Sequence, residues 1–305
     1  MPDVPADADH AAPPPFDLQC HSLHSDGALP PSEVIAHAAR AGVHMIALSD
    51  HDTLVGVQEA LDAGERHGID VIAATEITVV DPVRDDLHVL GYLVDHRHAG
   101  LLDLLARSRA DRDGRAQRMA DALRELGWTL DERALLRRSA AGQPVGRPHL
   151  AQAILAEQAN AARLAEEDLA DVGAVIVAYL IPGAPAFVGR TMPEVPDAIA
   201  AIHDAGGVAV WAHPFWDLED PQTVIATVRR FAASGLDGVE AFYVTHTREQ
   251  TDLLVALCGE LGLLTTGSAD FHGPQHRLFS RFRAFSLHGH EPVLGPIAEP
   301  RPPGR

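Results

Sequence analysis

The sequence predicts an α/β fold, a barrel-like frame of seven strands carrying a helical insertion. Three observations lead there. Short apolar runs alternate with longer stretches of helical periodicity, the pattern of βα units around a mostly parallel sheet. Seven such runs can be counted. One long interval, residues 99–190, breaks the alternation with helical patterns and little strand character.

The first four strands are expected at 16–20 (FDLQC), 44–49 (HMIALS), 70–76 (DVIAATE) and 86–94 (DLHVLGYLV). After the interruption come 207–212 (GVAVWA), 235–242 (GLDGVEAF) and 262–268 (GLLTTGS). Helices fit between them at 31–41, 54–67, 194–205, 221–234 and 247–261. Gly42, Gly68, Gly206 and Gly262 stand just after helical stretches, where a left-handed residue closes a helix. The frame is thus expected in two parts, 16–98 and 191–297, around the insertion at 99–190. Within the insertion, helices are expected over 101–127, over 131–140, from about Pro148, and near 163–180. Ten of the 24 basic residues lie between Arg107 and Arg147, which reads as solvated helix faces. Residues 1–15 and 298–305, rich in Pro, read as disordered tails.

With 305 residues and 46% hydrophobic positions, the chain can bury a core of one large domain, or of one domain with an insertion. Its 43 acidic and 24 basic residues leave a net charge of −19, and no lysine occurs. That excludes a lysine Schiff base and a phosphate-loop lysine. It also argues against an extended nucleic-acid groove. Two cysteines, Cys20 and Cys258, are too few for a thiolate zinc cage or a disulfide framework. Cys20, facing away from Gln19 and His21 in a strand, is expected in the core. No membrane span and no signal peptide are recognisable, so a cytoplasmic location is expected.

The 18 histidines set the chain apart. In parallel α/β folds, ligands sit beyond the carboxyl ends of the strands. There the sequence places His21 and Asp26 after strand one, Asp50-His51-Asp52 after strand two, and Glu76 at the end of strand three. Strand four carries His88, and His213 follows strand five. Glu240 ends strand six with His246 beyond it, and Asp270 and His272 follow strand seven. Taken singly, each has an ordinary reading: SDG a turn, DHD a helix cap, a lone His a hydrogen-bonded structural residue. Their recurrence at successive strand ends points to metal. His and carboxylate suit Zn, Mn and Fe, and the set exceeds one ion's coordination number, implying two or three divalent ions. Such ions lower the pKa of water and offset charge on a phosphoryl group. Asp270 and His272 share a direction if extended, or reach different ions if the loop kinks. The remaining histidines lie on helix faces, strand starts or loops, where surface or capping roles are expected.

The motifs DLQCHSLHSDG (17–27), SDHDT (49–53), ATEIT (74–78), LHVLGY (87–92), AHP (212–214) and ADFH (269–272) resemble the polymerase and histidinol phosphatase (PHP) family. The resemblance spans roughly 16–296. GRPHLA (146–151), GGVAVWAHP (206–214), THTREQ (245–250) and EPVLGPI (291–297) are similar to its stand-alone members, the 3′,5′-nucleotide bisphosphate phosphatases and 5′→3′ exoribonucleases. The resemblance implies a distorted seven-stranded (β/α) barrel of PHP type. It also implies a metal-dependent phosphoric ester hydrolase using a metal-bridged hydroxide on a nucleotide or short oligonucleotide. One ion would be held by the first motif, Glu76 and Asp270. A second would take Glu76, His88 and His213, and a third Asp26, His51 and His272. The family's first motif is usually H-x-H, whereas here Gln19 stands in for the first imidazole, able to ligate only through its carbonyl oxygen. Asp50 and Asp52 would support the ligands or handle protons, and a nearby His or Asp, Asp52 among the candidates, would protonate the leaving group.

Phosphate donors are expected in Arg147, whose fork matches phosphate, in His149 beside it, and in His246, with Arg190 a further candidate. Alternative readings are a histidinol-phosphatase-like monoesterase, metal-dependent C–N hydrolysis, and a degenerate metal- or nucleotide-binding module motivated by Gln19. The sequence does not fix the oligomeric state.

Overall fold

The computed structural model describes residues 13–140, 145–189, 191 and 193–299. Residues 1–12 and 300–305, most of the expected tails, and Arg190 lie outside the described residues. The chain falls into two compact units, one comprising residues 1–105 with 193–305 and the other residues 106–192.

In the first unit, β1 (Phe16–Cys20) is buried along its whole length. It is followed by α1 (Pro31–Arg40), β2 (Met45–Leu48), α2 (Val57–His67), β3 (Asp70–Asp81) and β4 (Arg84–Tyr92). The long α3 (Ala99–Glu125) starts here and runs into the second unit. That unit continues with α4 (Glu132–Ala140), α5 (Arg147–Leu155), α6 (Ala161–Glu166) and α7 (Val172–Tyr179). The chain then returns through α8 (Val195–Asp204), β5 (Val208–Trp211), the single turn α9 (Pro214–Asp217), α10 (Pro221–Ala233), β6 (Gly238–Tyr243), α11 (Arg248–Leu261) and β7 (Leu264–Ser268). Gly42, Gly68, Gly206 and Gly262 all have positive φ, so each ends its helix in the left-handed region.

The strands pair in sequence order, β1 to β7. Helical crossovers make β1–β2, β2–β3, β5–β6 and β6–β7 parallel. β4 is the exception, antiparallel to both neighbours. The cause is local: β3 does not stop at Glu76 but continues to Asp81 and folds back through Pro82 and Val83 as a hairpin. A two-residue turn can only return antiparallel. Glu76 and His88 therefore lie in mid-strand rather than at strand ends. Thr78 pairs with His88 and Glu76 with Leu90, which puts Glu76 and His88 diagonally on one face of the sheet.

The last strand meets the first. Cys20 bridges Phe271, and the His21 amide donates to the Phe271 carbonyl at 2.9 Å. Buried Asp17 reinforces this seam by accepting from the Ala269 amide (2.9 Å) and the Arg283 amide (2.7 Å). The seven-stranded sheet is thereby nearly closed into a barrel. Arg283 also donates to the carbonyls of Pro13 and Pro14, so this part of the expected tail is tied down.

The core of the first unit packs the sheet against its helices, with Trp211, Tyr92, Phe231, Phe242 and Leu18 fully buried. Each such side chain contributes roughly 1.5–3 kcal/mol. The second unit has a core of its own, including Leu123, Trp128, Leu150, Ile154 and Val175. The helix expected over 163–180 is split. Asp168 sits at φ 55°, and Asp171 starts α7 by accepting from the Ala174 amide, so the chain turns between them.

Candidate metal centre

The loops after β1, β2, β5 and β7 and the inward face of the β3–β4 hairpin converge. The Asp50-His51-Asp52 segment runs alongside β3, with His51 bridging Glu76 and the Asp52 amide donating to the Glu76 carbonyl at 2.9 Å. Ala212 N donates to the His88 carbonyl at 3.0 Å, which sets His213 next to His88. Asp52, His213 and Asp270 each adopt a positive φ (52°, 31° and 54°), an uncommon state for residues other than glycine. These three kinks turn the loops after β2, β5 and β7 inward. The kink at Asp270 also turns the two side chains to different partners, with His272 Nδ1 still 3.6 Å from Asp270 Oδ1. Asp270 points to His21, while His272 Nε2 points to Asp26 at 3.5 Å.

Glu76, fully buried, is the hub. Its Oε1 lies 3.0 Å from His88 Nδ1 and 3.1 Å from His213 Nε2, themselves 3.4 Å apart. Its Oε2 lies 3.2 Å from His21 Nε2 and 3.5 Å from His51 Nδ1. His21 Nε2 is 3.0 Å from Asp270 Oδ1. On the outer side, Asp26 stands 3.5 Å from both His51 Nε2 and His272 Nε2.

This arrangement fits metal ions. Bonds of roughly 2.1 Å to N and O ligands place neighbouring ligand atoms roughly 3.0–3.5 Å apart. Among the described residues, three donor groups are compact enough: His21, Asp26, His51 and His272; His51, Glu76 and His88; and His88, His213 and Asp217. Among the described residues, buried His21 Nε2, His51 Nδ1, His213 Nδ1, Asp217 Oδ2 and Asp270 Oδ1 face one another or Glu76 at 3.0–3.5 Å without a well-directed hydrogen bond. Buried polar atoms are seldom left so, and an ion would satisfy such a set. His272 Nδ1 bonds the Asp270 carbonyl at 2.7 Å, fixing the tautomer that frees Nε2 for a ligand.

The electrostatics agree. Burial alone would raise the Glu76 pKa, but His51 and His88, with His21 and His213, hold it well below the usual carboxylate range. Burial opposes protonation of His21 and His213. Asp270 and Glu76 for the one, and Asp217 and Glu76 for the other, overcome it and push both well above the usual imidazole range. The carboxylates thus draw positive charge, the demand that a divalent cation meets.

Other expected residues are placed differently. Gln19 donates its amide to Glu76 Oε2 (2.9 Å), and its carbonyl accepts from Ser268 Oγ (3.3 Å). It therefore braces Glu76 rather than presenting an oxygen to the cluster. Asp52 is fully buried, with one oxygen 3.0 Å from the Thr78 amide and the other 3.4 Å from its hydroxyl. These bonds anchor the loop to β3. His246 Nδ1 bonds the Ala241 carbonyl at 3.1 Å, and burial pushes its pKa down to about 3. With Nδ1 engaged by that carbonyl, Nε2 is the ring nitrogen left for a further contact. Arg147 and His149 belong to the second unit, at the start of α5, where His149 Nδ1 accepts from the Gly146 amide at 3.0 Å.

Asp217 and Tyr243 escaped the sequence reading, whereas Asp50 and Glu240 were expected at the strand ends. Asp217 Oδ2 lies 3.2 Å from His213 Nδ1, and the only hint was its i+4 spacing on a turn opened by Pro214. Tyr243 donates its hydroxyl to Asp270 Oδ2 at 2.8 Å. Asp50 binds the Ser22 amide and the Ser22 and Ser25 hydroxyls at 2.6–2.7 Å, shaping the loop that carries Asp26. Glu240, raised to about 8 by burial, accepts from the His213 amide and from Ser268 Oγ.

The PHP domain profile matches residues 17–172. A 5′-3′ exoribonuclease of Haemophilus influenzae is 32% identical over 85% of this chain and 90% of its own length. A 3′,5′-nucleoside bisphosphate phosphatase of Chromobacterium violaceum is 30% identical over 85% of this chain and 87% of its own. A solved structure from the same organism, named an amidohydrolase and holding sulfate, superimposes with a TM-score of 0.72. It is 28% identical and covers 87% of this chain and 90% of its own.

Proposed function

The chain belongs to the PHP domain family and is a metal-dependent phosphoesterase, and we propose that it hydrolyses phosphate esters of nucleoside bisphosphates or short oligonucleotides. The observation that carries this reading is Glu76, one carboxylate with an oxygen toward each of two histidine-bearing groups. That is the disposition of a ligand shared between adjacent divalent ions, for which Mn, Zn and Fe all suit the donors. Ions in these groups supply Lewis acidity and an activated water.

The protein's own part is positional. His21 and Asp270 form one side of the shared carboxylate, and His88 and His213 the other. Asp26, His51 and His272 make the outer group. Gln19 holds Glu76 from outside the ligand set, so the group around His21 and Asp270 has one imidazole fewer than the family pattern. Tyr243 and Asp217 orient Asp270 and His213. Arg147 and His149 are proposed as phosphate donors on their chemistry alone, the guanidinium fork matching two phosphate oxygens. A cytoplasmic location is part of the same proposal.

Purified protein loaded with Mn or Zn should release phosphate or 5′-nucleotides from adenosine 3′,5′-bisphosphate and from short 5′-phosphorylated RNA, in preference to histidinol phosphate. Cleavage of amide substrates with no release from any phosphate ester would overturn the reading.

A further inference from the structure

An aromatic rim stands beside the metal ligands and takes no part in holding them. Trp216 follows His213 by three residues on α9, whose other members Pro214, Phe215 and Asp217 are buried, yet Trp216 is 45% exposed. Its ring lies 5.5 Å from that of Phe279 and 6.4 Å from that of Tyr243. Phe279 in turn lies 5.3 Å from the ring of His272 and is stacked at 5.0 Å on exposed His276. The Phe279 and Leu278 amides both donate to His276 Nδ1, which fixes the loop that carries these rings. Arg277 and Arg281, in the same loop, are exposed. A single exposed Trp is ordinary on a protein surface. This one is joined ring by ring to a metal ligand, His272, and through Tyr243 to Asp270.

We propose that Trp216 and His276, backed by buried Phe279, form a stacking platform for the nucleobase of the substrate whose phosphate sits at the metal centre. The proposal rests on the phosphoesterase reading and makes it specific. The site selects base-bearing phosphates over plain sugar phosphates, because every base offers a π-face and a sugar offers none. The exposed Arg277 and Arg281 suit the further phosphates of a bisphosphate or of the next nucleotide.

The test compares kcat/KM for adenosine 3′,5′-bisphosphate and base-free ribose 3,5-bisphosphate in the wild type, Trp216→Ala and Trp216→Phe. Stacking is worth roughly 1–3 kcal/mol per base, so the ratio of the adenosine to the base-free substrate should fall about 10–100-fold in W216A and largely recover in W216F. A general structural defect would lower both substrates and leave the ratio in place. Adenosine binding gives a second readout. Trp128 and Trp211 are buried, so adenosine should quench the fluorescence of Trp216, and W216F should lose that quenching. A ratio unchanged in W216A, or a wild type without preference for the adenosine substrate, overturns the platform while leaving the phosphoesterase intact. A wild type that cleaves neither bisphosphate nor short 5′-phosphorylated RNA refutes the phosphoesterase reading, and adenosine quenching then decides the platform on its own.

Discussion

Asp217 shows how a residue outside the expected ligand set can govern the centre. Its carboxylate faces His213 Nδ1, while His213 Nε2 faces Glu76. A carboxylate at the far nitrogen of a ligating imidazole sets its tautomer and raises its basicity. Asp217→Asn should therefore weaken metal affinity about 10–100-fold, read by competition with a chelating dye; unchanged affinity would leave Asp217 a merely structural neighbour. His246 makes a different prediction. Burial lowers its pKa to about 3, so below pH 6.5 the unfolded chain takes up a proton that the folded chain refuses. Its contribution to stability is thus complete above pH 6.5 and is lost as the pH falls toward 3, amounting to about 2 kcal/mol at pH 5. In urea unfolding at pH 7 and pH 5, His246→Leu should lose about 2 kcal/mol less than the wild type on acidification. Equal losses would show that His246 titrates normally in the fold. Most of the cluster was legible in the sequence because imidazoles and carboxylates recur after apolar runs. The hydrogen-bonding state of Gln19, Asp52 and His246 was not, because it depends on Glu76, Thr78 and Ala241, brought near by folding alone.

At the scale of elements, the strands that were read well are those whose apolar runs end in Gly or a polar loop. β1 covers the residues expected, and β2, β5 and β7 lie inside their expected ranges. The β3–β4 hairpin was harder. The stretch TVVDPVRDD mixes strand formers with Asp, Arg and Pro, so it reads as a connection, although its residues pair across the turn. That hairpin moves Glu76 from a strand end into the middle of the barrel wall, where both its oxygens can be used. The seam between β1 and β7 is likewise invisible locally, because Asp17 accepts from amides more than 250 residues away. Asp17→Ala would leave those amides without their acceptor at a cost of roughly 2–4 kcal/mol. Chemical denaturation should show a loss of that size, and a loss below about 1 kcal/mol would mean that the seam is held by packing instead.

For the whole molecule, the net charge of −19 and the absence of lysine acquire a structural meaning. Part of the acidity, in Asp26, Glu76 and Asp270, is gathered around imidazoles as a place for cations, and so is not a repulsive surface toward phosphate. Bound divalent ions make such a pocket locally positive within an acidic protein. No described helix is long and apolar enough to cross a membrane. The central claim is that the barrel-wall cluster holds adjacent divalent ions through Glu76 and hydrolyses phosphate esters with them. The most direct test is a Mn titration of chelator-stripped protein, following bound metal and phosphate release from adenosine 3′,5′-bisphosphate in the same samples, beside Glu76→Gln. Stripped protein should give no release, release should rise with the second equivalent bound, and E76Q should lose both. Full activity in the presence of chelator, or a wild-type level of bound metal and turnover in E76Q, would contradict it.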